Sequence, residues 1–172
     1  QQHQKVIVSS DKDFIQLLDD KTILYRPTQK QVLNKKAVIE EYKIHPTNFA
    51  LARAIVGDSS DNLAGLKGVG LGTVAKRFPF LSEDKTYYLN DLVEICQEQE
   101  SPLKVHHSVV AEQKLIEQNY KLMQLYSPSL PVQTHNRIRE VMDGFEPEFN
   151  KSGLRAQMHK DGIGEVSLTD LF

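Results

Sequence analysis

The first residues with spacing suited to chemistry come directly after a short apolar run near the start of the chain. The run Val6–Val8 leads through Ser9 and Ser10 to two carboxylates, Asp11 and Asp13. Carboxylates at positions i and i+2 can converge on one hard cation where a strand ends, because the chain turns there, and the carboxyl ends of parallel strands form the usual site crevice of α/β proteins. The alternative is an aspartate-rich turn that caps the next helix.

A second pair of carboxylates, Asp58 and Asp61, comes after Gly57 at the end of a predicted helix. Positions three apart share a face, and negative charge at a helix C-terminus opposes the helix dipole, so the pair costs stability unless a cation neutralises it. Together the four aspartates suit Mg²⁺ or Mn²⁺, which prefer oxygen ligands. With few local countercharges, we expect them to keep each other's pKa raised without the ion. The alternative is an acidic loop without a metal.

The third group lies in residues 62–82, a stretch of 21 positions without an acidic residue in a chain that has 23 of them. It holds the candidate nucleic-acid contacts Lys67, Gly68, Gly70, Gly72, Thr73, Lys76 and Arg77. Glycines let backbone amides approach a phosphate, and a helix N-terminus adds a favourable dipole. The pattern predicts a helix–hairpin–helix that grips a nucleic-acid backbone. The alternative is a glycine turn between two packed helices.

Short elements must position these groups. The run Val6–Val8 predicts a buried strand with a short helix after it, and apolar alternation predicts two more small strands at residues 23–26 and 31–33. Helical spacing and cap signals predict helices over residues 35–43, 46–56, 71–78, 86–99, 105–126, 136–142 and 152–159. The segment 105–126 is expected to be one long helix, and 144–150 a linker.

Composition excludes several classes of protein. The chain has 172 residues, of which 40% are hydrophobic and 26% charged, which fits one soluble domain or one core with a small appended lobe. The longest apolar stretch, residues 49–56, is too short to span a membrane. A single cysteine, Cys96, suits a reducing compartment, so we expect a cytoplasmic location (host cytoplasm for a viral protein). The net charge of −2 means that nucleic-acid affinity must come from a local patch.

In their order along the chain, these motifs resemble those of the flap endonuclease or 5′-nuclease superfamily. The pattern is a strand with Ser-Asp-x-Asp, then a helix ending Gly-Asp-x-x-Asp-Asn, then Gly-Leu-x-Gly-Val-Gly-x-x-Thr. The likeness is strongest to phage 5′-exonucleases, including the phage ribonuclease H type, and to the 5′-nuclease domain of DNA polymerase I. It is specific from Val6 to Phe78.

The resemblance implies a fold and an activity. The fold would be the C-terminal part of a PIN-like α/β nuclease core with few strands (1–45), then a helix–three-turn–helix and helical lobe (46–143), then a linker, weak helix and tail (144–172). Asp11, Asp13, Asp58 and Asp61 would match catalytic metal ligands of a two-metal site. Residues 62–77 would bind duplex DNA, with K⁺ held by hairpin carbonyls.

The activity implied is metal-dependent 5′–3′ exonuclease or flap endonuclease action on DNA, or on RNA paired with DNA, in primer removal and repair. The family's other metal ligands and its helical arch lie before the strand at Val6, so we expect this chain alone to cut poorly or not at all. The alternative function is a non-catalytic, sequence-independent duplex DNA-binding module.

The C-terminal tail carries one further prediction. Leu168, Leu171 and Phe172 resemble the short terminal peptide with which replication nucleases dock on a sliding clamp. An extended segment of this kind suits weak and reversible recruitment, because its ordering costs free energy only on binding. The alternative is that these side chains pack against the chain's own core.

Overall fold

The computed structural model describes residues 3–125, 130–146 and 150–164. The chain divides into two compact units, Gln1–Pro128 and Ser129–Phe172. The first unit holds all the strands of the described residues and every predicted site residue outside the tail. The boundaries that the sequence suggested near residues 45 and 143 stay predictions.

A three-stranded sheet opens the first unit, in the order β1 (Lys5–Val8), β2 (Thr22–Arg26) and β3 (Gln31–Leu33). Strands β1 and β2 are parallel, with Val6 opposite Ile23, and β2 and β3 form an antiparallel hairpin. A short 3₁₀ helix, Lys12–Leu17, connects the parallel pair. The predicted strands are confirmed, and so is the short helix after the first of them.

The predicted burial of the first strand is wrong. Val6 is 54% exposed and Val8 is 65% exposed. Within the described residues β1 is an edge strand that pairs only with β2, and no element covers the face that carries these two side chains. An apolar run therefore predicted the strand correctly but not its surroundings, since burial depends on what packs against it.

Helices make up most of the remaining chain. In the first unit they are α1 (Lys35–Tyr42), α2 (Phe49–Val56), α3 (Leu71–Arg77), α4 (Leu89–Gln97), α5 (Lys104–Ala111) and α6 (Gln113–Met123). Asn34 caps α1 by accepting a 2.8 Å hydrogen bond from the Ala37 amide. A 3₁₀ turn, Pro46–Asn48, leads into α2. The predicted single helix over 105–126 is wrong, because the chain leaves helical geometry at Glu112 (φ −103°, ψ 22°), between α5 and α6.

The core of the first unit lies between the sheet and α2, the most buried helix. Phe49, Leu51 and Ile55 of α2 are at most 1% exposed, and they belong to one cluster with Leu24 of β2 and Ile116 of α6. Burying side chains of this size contributes about 1.5–3 kcal/mol each. Helix α2 is therefore fixed on several sides, and its C-terminal end is a rigid base for the loops between α2 and α3.

The second unit contains α7 (Val132–Asp143) and α8 (Lys151–Lys160), neither of which has a buried residue. The predicted clamp-binding residues Leu168, Leu171 and Phe172 lie outside the described residues. Among the helices of the described ranges, none combines the length and apolar character needed to cross a membrane. The molecule is thus a mixed α/β protein, rich in helix, with a small three-stranded sheet.

Candidate metal centre and nucleic-acid interface

The second carboxylate pair sits in a tight loop at the end of α2. Gly57 ends the helix with a positive φ (+78°), and its amide donates to the Arg53 carbonyl at 2.8 Å. Asp58 then pairs with Leu63 through two backbone hydrogen bonds of 2.8 and 2.7 Å. This pairing closes residues 58–62 into what we call the carboxylate loop, which carries Asp58 and Asp61.

Tertiary folding brings the carboxylate loop to the turn after β1. Both line one polar cavity of about 370 Å³. The residues around it are Ser10, Asp11, Lys12, Arg26, Arg53, Asp58, Ser60 and Asp61. Of the four predicted aspartates, Asp11, Asp58 and Asp61 line this cavity, whereas Asp13 does not. The expectation of few countercharges is wrong, because three cationic and three anionic side chains line the same cavity.

Arg53, in the last turn of α2, joins the two motifs directly. Its Nε lies 3.1 Å from Asp13 Oδ1, and its Nη2 donates to Asp58 Oδ2. The side chains of Arg53, Asp13 and Asp58 are only 12%, 17% and 15% exposed. A pair so shielded from water interacts more strongly than a surface pair and is costly to break from one side. Arg53 therefore supplies the positive charge between Asp13 and Asp58.

The pKa values of the two carboxyl groups that Arg53 contacts are shifted in opposite directions. Burial raises the pKa of Asp13, and Arg53 offsets this only in part. A hydrogen bond from the Ser60 hydroxyl, together with Arg53, lowers the pKa of Asp58 to about 2. The predicted mutual raising of carboxylate pKa values thus fails for Asp58, because the donors from Ser60 and Arg53 outweigh the effect of burial.

The other two aspartates are more open to solvent. Asp11 caps the 3₁₀ helix by accepting a 2.9 Å hydrogen bond from the Asp13 amide, so the capping alternative describes one of its oxygens correctly. Asp61 is exposed and makes no hydrogen bond or ion pair with any described residue. Both therefore keep carboxylate oxygens free to face the cavity.

The side chains around the cavity supply the type of ligand atom that a hard divalent cation prefers. The cavity offers carboxylate and hydroxyl oxygens and lacks sulfur and imidazole, which matches the oxygen preference of Mg²⁺ and Mn²⁺. Within the described residues, however, no three His, Cys, Asp or Glu side chains are arranged around one point that could hold an ion. The arrangement suits an ion held by one or two carboxylates and several waters, as is usual for Mg²⁺.

A second loop, residues 63–70, leads from the carboxylate loop to α3, and we call it the glycine loop. The Leu66 amide donates to the Ile55 carbonyl of α2 at 2.9 Å, which ties the start of this loop to the helix end. Gly65 lies so close to α2 that a Cβ would stand 1.9 Å from the Val56 carbonyl oxygen. At the far end, a Cβ on Gly68 or Gly70 would meet nothing within 4 Å.

Most of the predicted nucleic-acid contacts are exposed along the glycine loop and α3. They are Lys67, Gly68, Gly70, Gly72, Lys76 and Arg77, whereas Thr73 is half-buried. Gly68 adopts φ +75°, and Gly70 caps α3 through its carbonyl, which accepts from the Thr73 amide at 2.9 Å. A surface that combines open backbone with three cationic side chains suits contact with phosphates.

Sequence reasoning missed two residues that organise this site. Arg53 was visible only as a charge inside an apolar helix, five positions before Asp58. Asn119 of α6 donates from its side-chain amide to the carbonyls of Ala54 and Ala64. No local pattern marks Asn119, because both partners are more than fifty positions away.

Comparison with known proteins gives similarity over parts of the chain. A 5′-3′ exonuclease of Buchnera aphidicola is 36% identical over 87 residues, which are 51% of this chain and 30% of that protein. A thermostable DNA polymerase I of Thermus aquaticus is 39% identical over 70 residues, or 41% of this chain and 8% of that protein. The chain thus spans less than a third of the length of these relatives. No protein-family model matches.

Solved structures of bacteriophage T5 proteins share the fold. T5 5′-exonuclease with bound divalent zinc is 22% identical, with a TM-score of 0.56 over 70% of this chain and 42% of that chain. T5 flap endonuclease, in a pseudo-enzyme-product complex with DNA and metal ions, is 21% identical, with a TM-score of 0.54 over the same shares. The relatives in sequence and the neighbours in fold thus agree with the resemblance carried by the motifs. In sequence, part of this chain is similar to 5′-3′ exonuclease and DNA polymerase I, and its fold is similar to that of T5 5′-exonuclease.

Proposed function

We propose that this chain is a portion of a structure-specific 5′ nuclease and that it contributes both the duplex anchor and part of the metal site. The substrates would be duplex or flapped DNA, or RNA paired with DNA, during primer removal and repair. The observation that carries the proposal is the direct continuity of the carboxylate loop and the glycine loop at the end of α2. The rigid C-terminal end of α2 would thereby support both the duplex anchor and the metal-binding carboxylates.

The position of each aspartate relative to the cavity fits a distinct role. Asp11, Asp58 and Asp61 line the cavity, and one or two of them would hold a hydrated Mg²⁺ or Mn²⁺, while Asp13 pairs with Arg53 and is not among the lining residues. Such an ion supplies charge stabilisation and an activated water for phosphodiester hydrolysis. The remaining ligands would come from a part of the enzyme that these 172 residues lack. The chain's own contribution to the reaction would be to bind and orient the duplex and to supply part of the ion's ligands.

The duplex anchor would be the exposed surface of the glycine loop and α3. Open backbone at Gly68, Gly70 and Gly72, with Thr73 beside it, would approach phosphates, and loop carbonyls would hold K⁺. Lys67, Lys76 and Arg77 would neutralise phosphates. Contacts of this kind position DNA without reading its sequence, and they weaken as salt rises.

The anchor is tested by duplex binding. Lys76→Ala with Arg77→Ala should weaken binding about equally for two unrelated duplexes, measured by fluorescence anisotropy. The slope of log K against log salt should become shallower by roughly one to two units, since each side chain neutralises about one phosphate. Lys30→Ala with Lys36→Ala, which removes the same charge from the β2–β3 turn and α1, is the matched control. An unchanged slope, or a loss for one duplex only, would contradict the proposal.

The second candidate function is a non-catalytic duplex-binding module. It is favoured by Arg53, which already forms ion pairs with both Asp13 and Asp58. Calorimetry with Mn²⁺ separates the two functions. Under the nuclease proposal the chain binds Mn²⁺, and Asp58→Asn with Asp61→Asn abolishes binding while the circular dichroism spectrum is unchanged. Absence of Mn²⁺ binding by the unmodified chain, with duplex binding retained, favours the module.

Two further parts of the proposal concern the setting of the protein. The enzyme would act in the cytoplasm, or in the host cytoplasm for a viral protein. Leu168, Leu171 and Phe172 would bind a sliding clamp. Deletion of residues 167–172 should remove clamp stimulation of the nuclease and leave cleavage of a short flap unchanged.

A further inference from the structure

The end of α2 leaves carbonyl groups that its own backbone does not satisfy. In a longer helix the carbonyls of Arg53, Ala54 and Ile55 would accept from the amides four positions on. Here the Gly57 amide bonds to Arg53, but the Asp58 amide bonds instead to Leu63. The Ile55 carbonyl takes its hydrogen bond from Leu66, which belongs to the glycine loop. The Ala54 carbonyl therefore needs a donor from elsewhere.

Asn119 supplies that donor. Its Nδ2 lies 3.0 Å from the Ala54 carbonyl oxygen and 2.8 Å from the Ala64 carbonyl oxygen. Both partners are acceptors, so the amide nitrogen must face them. The residue is 2% exposed, which means that water does not replace these bonds when they break. One side chain thus links the last turn of α2 to the first part of the glycine loop.

The link spans the two parts of the proposed site. Ala54 lies four positions before Asp58 of the carboxylate loop, and Ala64 lies three positions before Lys67 of the glycine loop. Two other ties join the same segments, namely the pairing of Asp58 with Leu63 and the bond from Leu66 to Ile55. Asn119 alone among the three comes from another helix, so it also fixes both segments against α6.

We infer that Asn119 is a positioning residue that holds the DNA-anchoring glycine loop in a fixed place relative to the carboxylate loop, an inference that rests on the proposed function. Its effect is on coupling: a cation in the carboxylate cavity and a duplex on the glycine loop assist each other only while the two loops keep one relative position. Such coupling is reciprocal and commonly changes affinity by about 5–150-fold.

The chain offers a matched control in Asn48, the other fully buried asparagine of the described residues. Asn48 is 0% exposed, and its Nδ2 donates to the carbonyls of Leu81 and Lys85 at 3.1 and 2.9 Å. Its Oδ1 accepts from the Tyr87 amide at 2.9 Å. With a further 3.4 Å bond to the Glu83 carbonyl, it joins the start of α2 to the 81–87 segment through four hydrogen bonds, two more than Asn119 makes, but it touches neither loop of the site.

The experiment compares Asn119→Ala with Asn48→Ala in two measurements. The first is hydrogen exchange at the Leu66 and Tyr87 amides. Asn119→Ala should speed exchange at the Leu66 amide by roughly tenfold and leave the Tyr87 amide unchanged. Asn48→Ala should speed exchange at Tyr87 and leave Leu66 unchanged. The second is the ratio of duplex affinities with and without Mn²⁺. Asn119→Ala should lower this ratio by roughly fivefold or more, whereas Asn48→Ala should preserve it.

Each result decides the matter. If the affinity ratio of the unmodified chain is above one and Asn119→Ala leaves it unchanged, the inference is overturned but the proposed function is not. The same holds if Asn119→Ala leaves hydrogen exchange at Leu66 unchanged. A ratio of one in the unmodified chain would overturn the metal part of the proposed function together with it. If Asn119→Ala does not fold, Asn119→Ser, which keeps a single donor, takes its place and should lower the ratio by a smaller factor; an unaltered ratio in that variant would overturn the inference.

Discussion

Two groups of glycines that lie close together in the sequence have opposite roles in the proposed site. Gly57 and Gly65 lie where α2 and the glycine loop touch backbone to backbone, and a Cβ on either would come within 2.5 Å of main-chain atoms. A Cβ on Gly68, Gly70 or Gly72 would meet nothing within 4 Å. The first pair is required for packing, and the second group leaves backbone open to a ligand. The rigid base and the contact surface are therefore separate, which allows each to be altered alone.

The largest expected effect on stability comes from Gly65, one of the two glycines required for packing. Gly65→Ala places a methyl group 1.9 Å from the Val56 carbonyl oxygen and 2.5 Å from the Gly57 nitrogen, main-chain atoms that cannot move aside as a flexible side chain would. We expect a loss of about 3 kcal/mol or more in the free energy of unfolding, measured by urea denaturation. A loss below about 1 kcal/mol would mean that the two segments are not held together as described.

The next effect concerns Arg53, the charge that ties the rigid base to the turn after β1. Arg53→Met leaves Asp13 and Asp58 shielded from water without their direct ion-pair partner, and we expect a loss of about 2–3 kcal/mol at neutral pH. Addition of Mn²⁺ should recover part of this loss, because a cation can replace the guanidinium. Lys36→Met is the control, since its 3.8 Å pair with Glu40 is exposed and should contribute less than about 0.5 kcal/mol. Equal losses in the two variants would contradict the shielded pairing.

A smaller effect concerns the Ser60 hydroxyl, which donates to Asp58 at 2.5 Å. The pKa of Asp58 is lowered from 3.8 to about 2, so its contribution to stability is complete above about pH 4 and is lost as pH falls through about 2. Ser60→Ala should raise the pKa of Asp58 and cost about 1 kcal/mol at about pH 6. The cost should vanish below about pH 2. Nuclear magnetic resonance titration of the carboxyl group measures the pKa, and Ser59→Ala, at the exposed neighbouring hydroxyl, should leave it unchanged.

The smallest effect on stability is expected at Gly72, one of the glycines that have open space around them. Gly72→Ala adds a methyl group that meets nothing, within a helix where alanine is favoured over glycine, so stability should be unchanged or rise by up to about 1 kcal/mol. Duplex affinity should fall, since the methyl group stands where a phosphate would approach. Urea denaturation and fluorescence anisotropy measure the two quantities. A stability loss like that of Gly65→Ala would erase the distinction between the two groups of glycines.

Local signals in the sequence predicted the elements that carry the site. Asn34 is a helix-cap signal, and the turn after Val8 is a strand-end signal. Both signals act within a few residues, and the helix α1 and the strand β1 form as expected. Burial was harder to predict. Val6 and Val8 were expected to be buried and are exposed, whereas Cys96, inside the predicted helix over residues 86–99, is 3% exposed and has its pKa raised to about 11 by burial. The difference arises because an apolar strand is buried only where another element covers it.

The sequence by itself determined which residue types stand at the end of the first strand and at the end of α2, because backbone geometry, capping and helix spacing act over three or four positions. Only the tertiary structure decided how these residues are balanced electrostatically. Arg53 reaches Asp13 across forty positions, and Asn119 reaches Ala54 across sixty-five. Contacts over such separations depend on the packing of α2 between the sheet and α6. A lone arginine or asparagine carries no local pattern that reveals its partner.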